Sequence, residues 1–76
     1  MEEILRNHNF VKIEDDVCGC VWSRENWTIR IFALDNKIEV FQDLESSKNP
    51  KYAYIPFTKE YLNWLIEDIE MFMRSI

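Results

Sequence analysis

Glycine, proline and cysteine are scarce in this chain. The shortage of glycine excludes one class of binding site, and the shortage of cysteine excludes one class of small domain. The 76 residues contain one Gly, two Pro and two Cys. A glycine-rich phosphate-binding loop needs several glycines, so a single Gly rules that site out. Two cysteines separated by one residue cannot form the disulfide framework of a small secreted domain, which indicates a reducing compartment.

The chain also lacks long apolar runs and an excess of basic residues. No stretch approaches the roughly 20 apolar residues that span a bilayer, and no charged-then-apolar signal segment opens the sequence. Nine Lys and Arg stand against fourteen Asp and Glu, which gives a net charge of −5. This sign of charge repels phosphate backbones. The sequence therefore predicts an acidic cytoplasmic protein with no membrane contact, for which nucleic acid is a disfavoured partner.

Apolar and aromatic residues, in contrast, are plentiful. Hydrophobic residues make up 47% of the chain and aromatic residues 14%, with three Trp among them. A chain this short buries only about 60% of the surface that its unfolded form exposes, so dense aromatic packing has to support the fold. We predict a single small α+β domain over residues 1–76.

Local patterns divide the chain into a short helix, a series of strands and a long helix. The first residues predict a short helix that ends near Asn7 or Asn9. Residues 10–14 predict a strand, followed by a charged turn at residues 14–16. Runs rich in Val, Ile, Trp and Phe predict a β-meander over residues 17–42. A surface loop at 44–51 and an edge strand at 52–55 follow.

The C-terminal segment has the clearest helical pattern. Thr58 is a good N-cap after Pro56, and apolar residues recur at helical spacing from Lys59 to about residue 75. These are Leu62, Leu65, Ile66, Ile69, Phe72, Met73 and Ile76. The predicted fold is an antiparallel β-meander of three to five strands, with this amphipathic helix packed on one face and a short helix at the N-terminus.

Two-residue turns at Glu25-Asn26 and Asp35-Asn36 would set the register of the meander. The pairs they predict are Trp22 with Ile29, Cys20 with Ile31, Ile31 with Val40, and Ala33 with Ile38. A slip of one residue would send one strand's apolar side chains to the opposite side. The predicted inner face consists of Cys18, Cys20, Trp22, Trp27, Ile29, Ile31, Ala33, Ile38 and Val40.

Cys18 and Cys20 have the only spacing that suggests a site. A structural zinc ion needs four ligands. Apart from these two thiols and the carboxylates, the sequence offers only His8 as a further ligand. We interpret the two thiols as small buried residues of the inner face, with Gly19 permitting a bend or a close approach. His8 is interpreted as an exposed loop residue, since the sequence names no nucleophile or orienting carboxylate for it. No catalytic, cofactor-binding or metal-binding residue is predicted.

The acidic side chains of the last helix are interpreted as solvated surface. Glu67, Asp68 and Glu70 lie on its polar side, where carboxylates are usually exposed. Glu70 is spaced to form an ordinary surface ion pair with Arg74.

The second face of the predicted meander has a mixed composition that needs an explanation. It carries Val17, Val21, Phe32, Leu34 and Phe41 beside Ser23, Thr28, Arg30, Glu39 and Asp43. A solvated sheet face is mostly polar. Three explanations are open: the N-terminal helix covers this face, Arg and Glu stems cover its rings, or another protein surface buries it. The predicted partner-binding residues are Val21, Arg30, Phe32, Glu39 and Phe41.

A protein–protein interaction module without catalytic activity or cofactor fits these observations best. Its first version is self-association into a homodimer, because domains of this size often gain stability by association. One alternative is a phage or mobile-element inhibitor or adaptor whose helix carboxylates bind a basic surface of a host protein. A second alternative is single-stranded nucleic-acid binding through the sheet aromatics beside Arg30.

Overall fold

The computed structural model describes residues 2–42 and 50–75, which form a five-stranded antiparallel sheet and two helices. The elements are α1 (Glu2–Asn7), β1 (Val11–Asp16), β2 (Gly19–Arg24), β3 (Trp27–Phe32), β4 (Lys37–Gln42), β5 (Tyr52–Pro56) and α2 (Lys59–Arg74). The strands lie in the order β1-β2-β3-β4-β5. The predicted α+β meander with a helix after it and a short helix before it is confirmed. Asp43, Ile76 and most of the predicted loop lie outside the described residues.

The β2–β3 hairpin has the predicted two-residue turn. Arg24 pairs with Trp27, and Trp22 pairs with Ile29. Glu25 closes the turn with φ of 53°, a left-handed conformation that a turn this tight requires. The predicted register of this hairpin is therefore confirmed.

The β3–β4 hairpin has a longer turn than predicted. Ile31 pairs with Ile38 rather than with Val40, so residues 33–36 form a four-residue turn. Asn36 takes φ of 51° there, a conformation that Asn adopts more readily than most residues. The predicted register is wrong by two residues. Because side chains alternate with a period of two, both apolar β4 residues stay on the predicted face.

β1 continues through the acidic residues that the sequence predicted as a turn. Asp16 is still paired, opposite Gly19. Its Oδ1 accepts hydrogen bonds from the amides of Cys18 at 2.8 Å and Gly19 at 3.1 Å. An Asp side chain that binds amides just ahead in the chain stabilises a turn. The turn therefore falls at residues 17–18, and the prediction of a turn at 14–16 is wrong.

α1 ends at a left-handed residue that directs the chain back into the core. Asn9 has φ of 68°, and its amide donates to the Arg6 carbonyl at 3.0 Å. The next amide, of Phe10, donates to the Leu5 carbonyl at 2.9 Å. This pair of bonds is the Schellman pattern, which brings the residue after the cap against the last turn. Leu5 and Phe10 accordingly both lie in the core.

The core lies between the inner face of the sheet and both helices. α2 begins as predicted, with the Thr58 hydroxyl accepting from the Tyr61 amide at 3.2 Å. Burial in the core confirms six of the predicted inner-face residues. The buried set is Leu5, Phe10, Trp22, Trp27, Ile29, Ile31, Ile38, Val40, Leu62, Leu65, Ile66 and Ile69.

Three predicted inner-face residues are less buried than expected. Cys20 is half-buried against the core, where its Sγ accepts a hydrogen bond from Trp22 Nε1 at 3.2 Å. Cys18 and Ala33 are exposed because both lie in turns and not in strands. The prediction of burial is wrong for these two, as is the pairing of Ala33 with Ile38.

Candidate functional site

Both helices pack on the inner face, so within the described residues no helix lies over the opposite face of the sheet. We call this opposite side the outer face. Leu5 of α1 and Leu65 of α2 belong to the same core as Trp22. The explanation in which the N-terminal helix covers the outer face is therefore wrong. Its central strands contribute Val21, Ser23, Thr28, Arg30, Phe32, Lys37, Glu39 and Phe41.

The structure brings the predicted partner-binding residues together on the outer face. Val21 pairs with Arg30, and Arg30 pairs with Glu39, so these three residues form one row across the central strands. Phe32 follows two residues after Arg30 on β3. Phe41 lies on the other side of the row, where it pairs with Thr28 of β3. Arg30 is thus the centre of the group.

Cations lie over the aromatic rings of the outer face. The Arg30 guanidinium carbon is 6.0 Å from the ring centre of Phe32 and 5.4 Å from that of Phe41. Lys37 Nζ is 4.9 Å from the ring centres of both Phe32 and Tyr54. Contacts of this kind contribute about 0.5–1 kcal/mol at exposed sites. The explanation in which charged side chains cover the rings is therefore supported by Arg30 and Lys37.

The members of this group differ in accessibility. Phe41 is only 9% exposed, so it supports the Arg30 side chain from below and offers little contact area of its own. Val21, Phe32 and Glu39 are half-buried, and Arg30 is exposed. A long guanidinium held over two rings can be presented to a partner without losing much conformational freedom.

Two apolar turn residues are exposed at the end of the sheet near Phe32. Val17 and Leu34 are 91% and 76% exposed, since both lie in turns beyond the strands. Their turns are adjacent, because the Ala33 amide donates to the Cys18 carbonyl at 2.9 Å. The two turns therefore add exposed apolar area at this end of the sheet.

Both edge strands pair with the meander, and both are irregular. β1 has a register shift between Lys12 and Glu14, and β5 has one opposite residues 38–40. Tyr54 adopts φ of 62°, and Pro56 at the end of β5 has no amide hydrogen to donate. Bulges, charges and prolines at sheet edges oppose pairing with another chain. Both edges of the sheet therefore oppose pairing with a strand of another chain.

A cluster that joins the N-terminal segment to α2 was missed by the sequence analysis. His8 Nδ1 lies 3.2 Å from Glu70 Oε2. Arg24 Nη1 donates to the same oxygen at 3.0 Å and to the His8 carbonyl at 2.9 Å. The interpretations of His8 as an exposed residue and of Glu70 as solvated surface are therefore wrong. Partners this distant in the sequence leave no periodic signal.

The cluster shifts the titration of Glu70. Partial burial raises the pKa of its carboxyl group. Hydrogen bonds from Arg24 and His8 lower that pKa by more than burial raises it, so the pKa lies below the ordinary value of 4.5. A lowered pKa means that the folded state binds the carboxylate's proton less readily than the unfolded state does. The carboxylate therefore stabilises the folded state at pH values above the ordinary pKa. This contribution is lost as the pH falls through the lowered pKa.

We expect Glu70→Gln to lower the free energy of unfolding at pH 7 by about 1 kcal/mol, since it removes the charge that faces a half-buried guanidinium. The variant should also lose less stability than wild type between about pH 5 and pH 3, because it no longer carries the titrating carboxyl group. Urea unfolding at several pH values measures both effects. Glu67→Gln, at an exposed position of the same helix, is the control. Equal acid sensitivity of wild type and Glu70→Gln would contradict the assignment.

The described residues around Arg30 form only a small cavity. A shallow cavity of about 180 Å³ lies between the start of β2 and Arg30, and small-molecule sites usually exceed about 300 Å³. Within residues 2–42 and 50–75, no group of three or more His, Cys, Asp or Glu side chains is placed to hold a metal ion. No helix in this part of the chain is both long and apolar enough to cross a bilayer.

Comparison with protein-family models, with curated proteins and with solved structures finds no significant match to the chain.

Proposed function

We propose that this protein is a non-catalytic interaction module that binds a second copy of itself through the outer face of its sheet. The observation that carries the proposal is the packing of both helices on the inner face, which leaves the row around Arg30 without a helix over it in the described part of the chain. The proposal places the module in the cytoplasm, where thiols such as the free Cys18 and Cys20 stay reduced.

The charges of the outer face suit a second copy of the chain. Arg30 and Glu39 are cross-strand neighbours, so one row carries both signs. A two-fold axis between two such rows would place each Arg30 opposite the partner's Glu39, which is the arrangement that an isologous interface requires. Over the rest of the surface, two chains that each carry a net charge of −5 repel one another. A face of mixed sign is therefore the surface on which self-association meets least repulsion.

The packing around Arg30 supports its role as an anchor. Arg is among the residues that most often dominate the free energy of an interface, particularly where apolar neighbours exclude water. Phe32 and Phe41 hold the guanidinium within 6.0 Å of their ring centres. Val21 and the exposed half of Phe32 would supply the apolar area around it.

Single-stranded nucleic-acid binding is the second candidate, and one observation favours it. Tyr54 is 78% exposed and its ring centre lies 4.9 Å from Lys37 Nζ, so an accessible ring for base stacking and a cation for a phosphate lie side by side. The net charge of −5 opposes it, because a phosphate backbone would be repelled by most of the surface. We therefore rank this function below self-association.

The test of self-association is a charge swap measured by sedimentation. We expect Arg30→Glu alone, and Glu39→Arg alone, to raise the dimer dissociation constant about tenfold or more, since each places like charges opposite one another. The double variant should recover to within about threefold of wild type, because the complementary arrangement returns.

Glu67→Arg makes the same change of charge as Glu39→Arg, but on the exposed side of α2. It should leave the dissociation constant unchanged. A folded double variant that stays monomeric would show that Arg30 and Glu39 do not face each other across the interface.

A further inference from the structure

A second surface lies where α2 meets β5, away from the outer face. Ile55, Glu60, Tyr61 and Trp64 line an open groove there of about 310 Å³. Tyr61 is 46% exposed and Trp64 49% exposed, although both are large aromatic residues. Self-association through the outer face makes no use of these residues, so the groove needs an explanation of its own.

The indole of Trp64 is held in place from one side. Its ring meets Tyr52 edge to face, with 5.6 Å between the ring centres. The Tyr52 hydroxyl donates a hydrogen bond to Asp68 on the next turn of α2. That bond, together with burial, raises the pKa of Tyr52 to about 12, so the hydroxyl remains a donor throughout the neutral range. Trp64 is thus positioned before any partner arrives, which reduces the entropy cost of binding.

The groove combines aromatic rings with a negative charge. Glu60 is exposed and lines the same space as Tyr61 and Trp64. Aromatic faces attract cations, and indole does so most strongly. A Lys or Arg side chain has an apolar stem that packs on rings and a cationic head that a carboxylate can pair. An anionic ligand would instead meet Glu60 on a chain of net charge −5.

We infer that this groove binds a lysine or arginine side chain on a segment of another protein, with apolar residues beside it. The stem packs against Ile55 and the two rings, and the cationic head lies near the Glu60 carboxylate. The volume of about 310 Å³ accommodates one long side chain but is at the lower limit of sites for drug-sized molecules. This partner goes beyond the proposed self-association and uses a different surface.

The test titrates the intact protein with two capped hexapeptides, one of alternating Leu and Lys and one of alternating Leu and Glu. Indole N–H signals in two-dimensional NMR report binding, and the buried Trp22 and Trp27 serve as internal references. We expect the Lys peptide to shift the Trp64 indole signal in a saturable manner. The Glu peptide, with the same apolar content, should leave the signal unchanged because of Glu60.

Variants then locate the binding. Glu60→Gln should raise the dissociation constant of the Lys peptide about threefold, and Tyr61→Ala about tenfold, both read from the Trp64 indole signal. Glu67→Gln removes a neighbouring exposed carboxylate and should have no effect. Arg30→Glu should also bind the peptide as wild type does, whether or not it self-associates, so the outcome is independent of the proposed dimer.

Three results would overturn the inference. They are the absence of a saturable shift up to millimolar Lys peptide, equal binding of the two peptides, and an equal loss of affinity in Glu67→Gln and Glu60→Gln. The last of these would show a general attraction of a cationic peptide to an acidic protein, with no contribution from the groove.

Discussion

Gly19→Ala is expected to destabilise the folded state by at least about 3 kcal/mol. A Cβ atom at this position would lie 1.9 Å from the carbonyl oxygen of Ile31 and 3.0 Å from its carbonyl carbon. These are main-chain atoms of the adjacent strand, so they cannot move aside as the end of a flexible side chain does. A chain of this length has a total stability of roughly 4–11 kcal/mol. One methyl group should therefore unfold a substantial part of the population.

Urea unfolding followed by circular dichroism measures this loss. Cys18→Ala is the matched control, because it introduces the same residue one position earlier, at an exposed site in the turn. We expect its unfolding midpoint to stay close to that of wild type. If Gly19→Ala had the same midpoint as Cys18→Ala, β2 and β3 would not approach as closely as the structure shows.

Trp22→Ala is expected to cost about 4 kcal/mol, in the range found when a large aromatic residue is removed from a core. Trp22 is 0% exposed. Its ring also lies under two cations, with the Arg6 guanidinium carbon at 5.3 Å and Lys12 Nζ at 5.5 Å from the ring centre. Its loss would leave a large cavity and would separate the N-terminal segment from β2.

Trp64→Ala is the internal comparison for this prediction. Trp64 is 49% exposed, and its ring packs edge to face against Tyr52. We expect its replacement to cost about 1 kcal/mol, the size of one aromatic pair. Thermal unfolding of both variants, monitored by circular dichroism, gives the difference. Equal losses in the two variants would mean that Trp22 does not occupy the centre of the core.

Local sequence patterns predict α2 and the faces of the central strands well. The Thr58 cap and the helical spacing from Leu62 onward define a helix that the structure bounds at Lys59–Arg74. Alternation places Trp22, Ile29 and Val40 on one face although the second turn is two residues longer than predicted, because a shift of two residues conserves the face. The outer-face residues follow from the same alternation, which is why the predicted group is found together.

Turn positions and contacts distant in the sequence could not be predicted in this way. Asp16 places the turn after β1 through hydrogen bonds from its side chain, and a run of acidic residues does not show which member will accept them. His8 and Glu70 are 62 residues apart, so only the packed fold brings them together. Phe41 is 9% exposed although it lies on the outer face, and alternation along the strand does not predict that burial.

The molar mass of the wild-type protein in solution, measured by light scattering over a range of concentrations, tests the proposed self-association most directly. We expect the mass to approach about twice the 9.3 kDa of one chain as the concentration rises. Phe32→Glu should return it to 9.3 kDa, whereas Tyr61→Glu, an equivalent change on the other surface, should not. A wild-type mass of 9.3 kDa at every concentration would contradict self-association through the outer face.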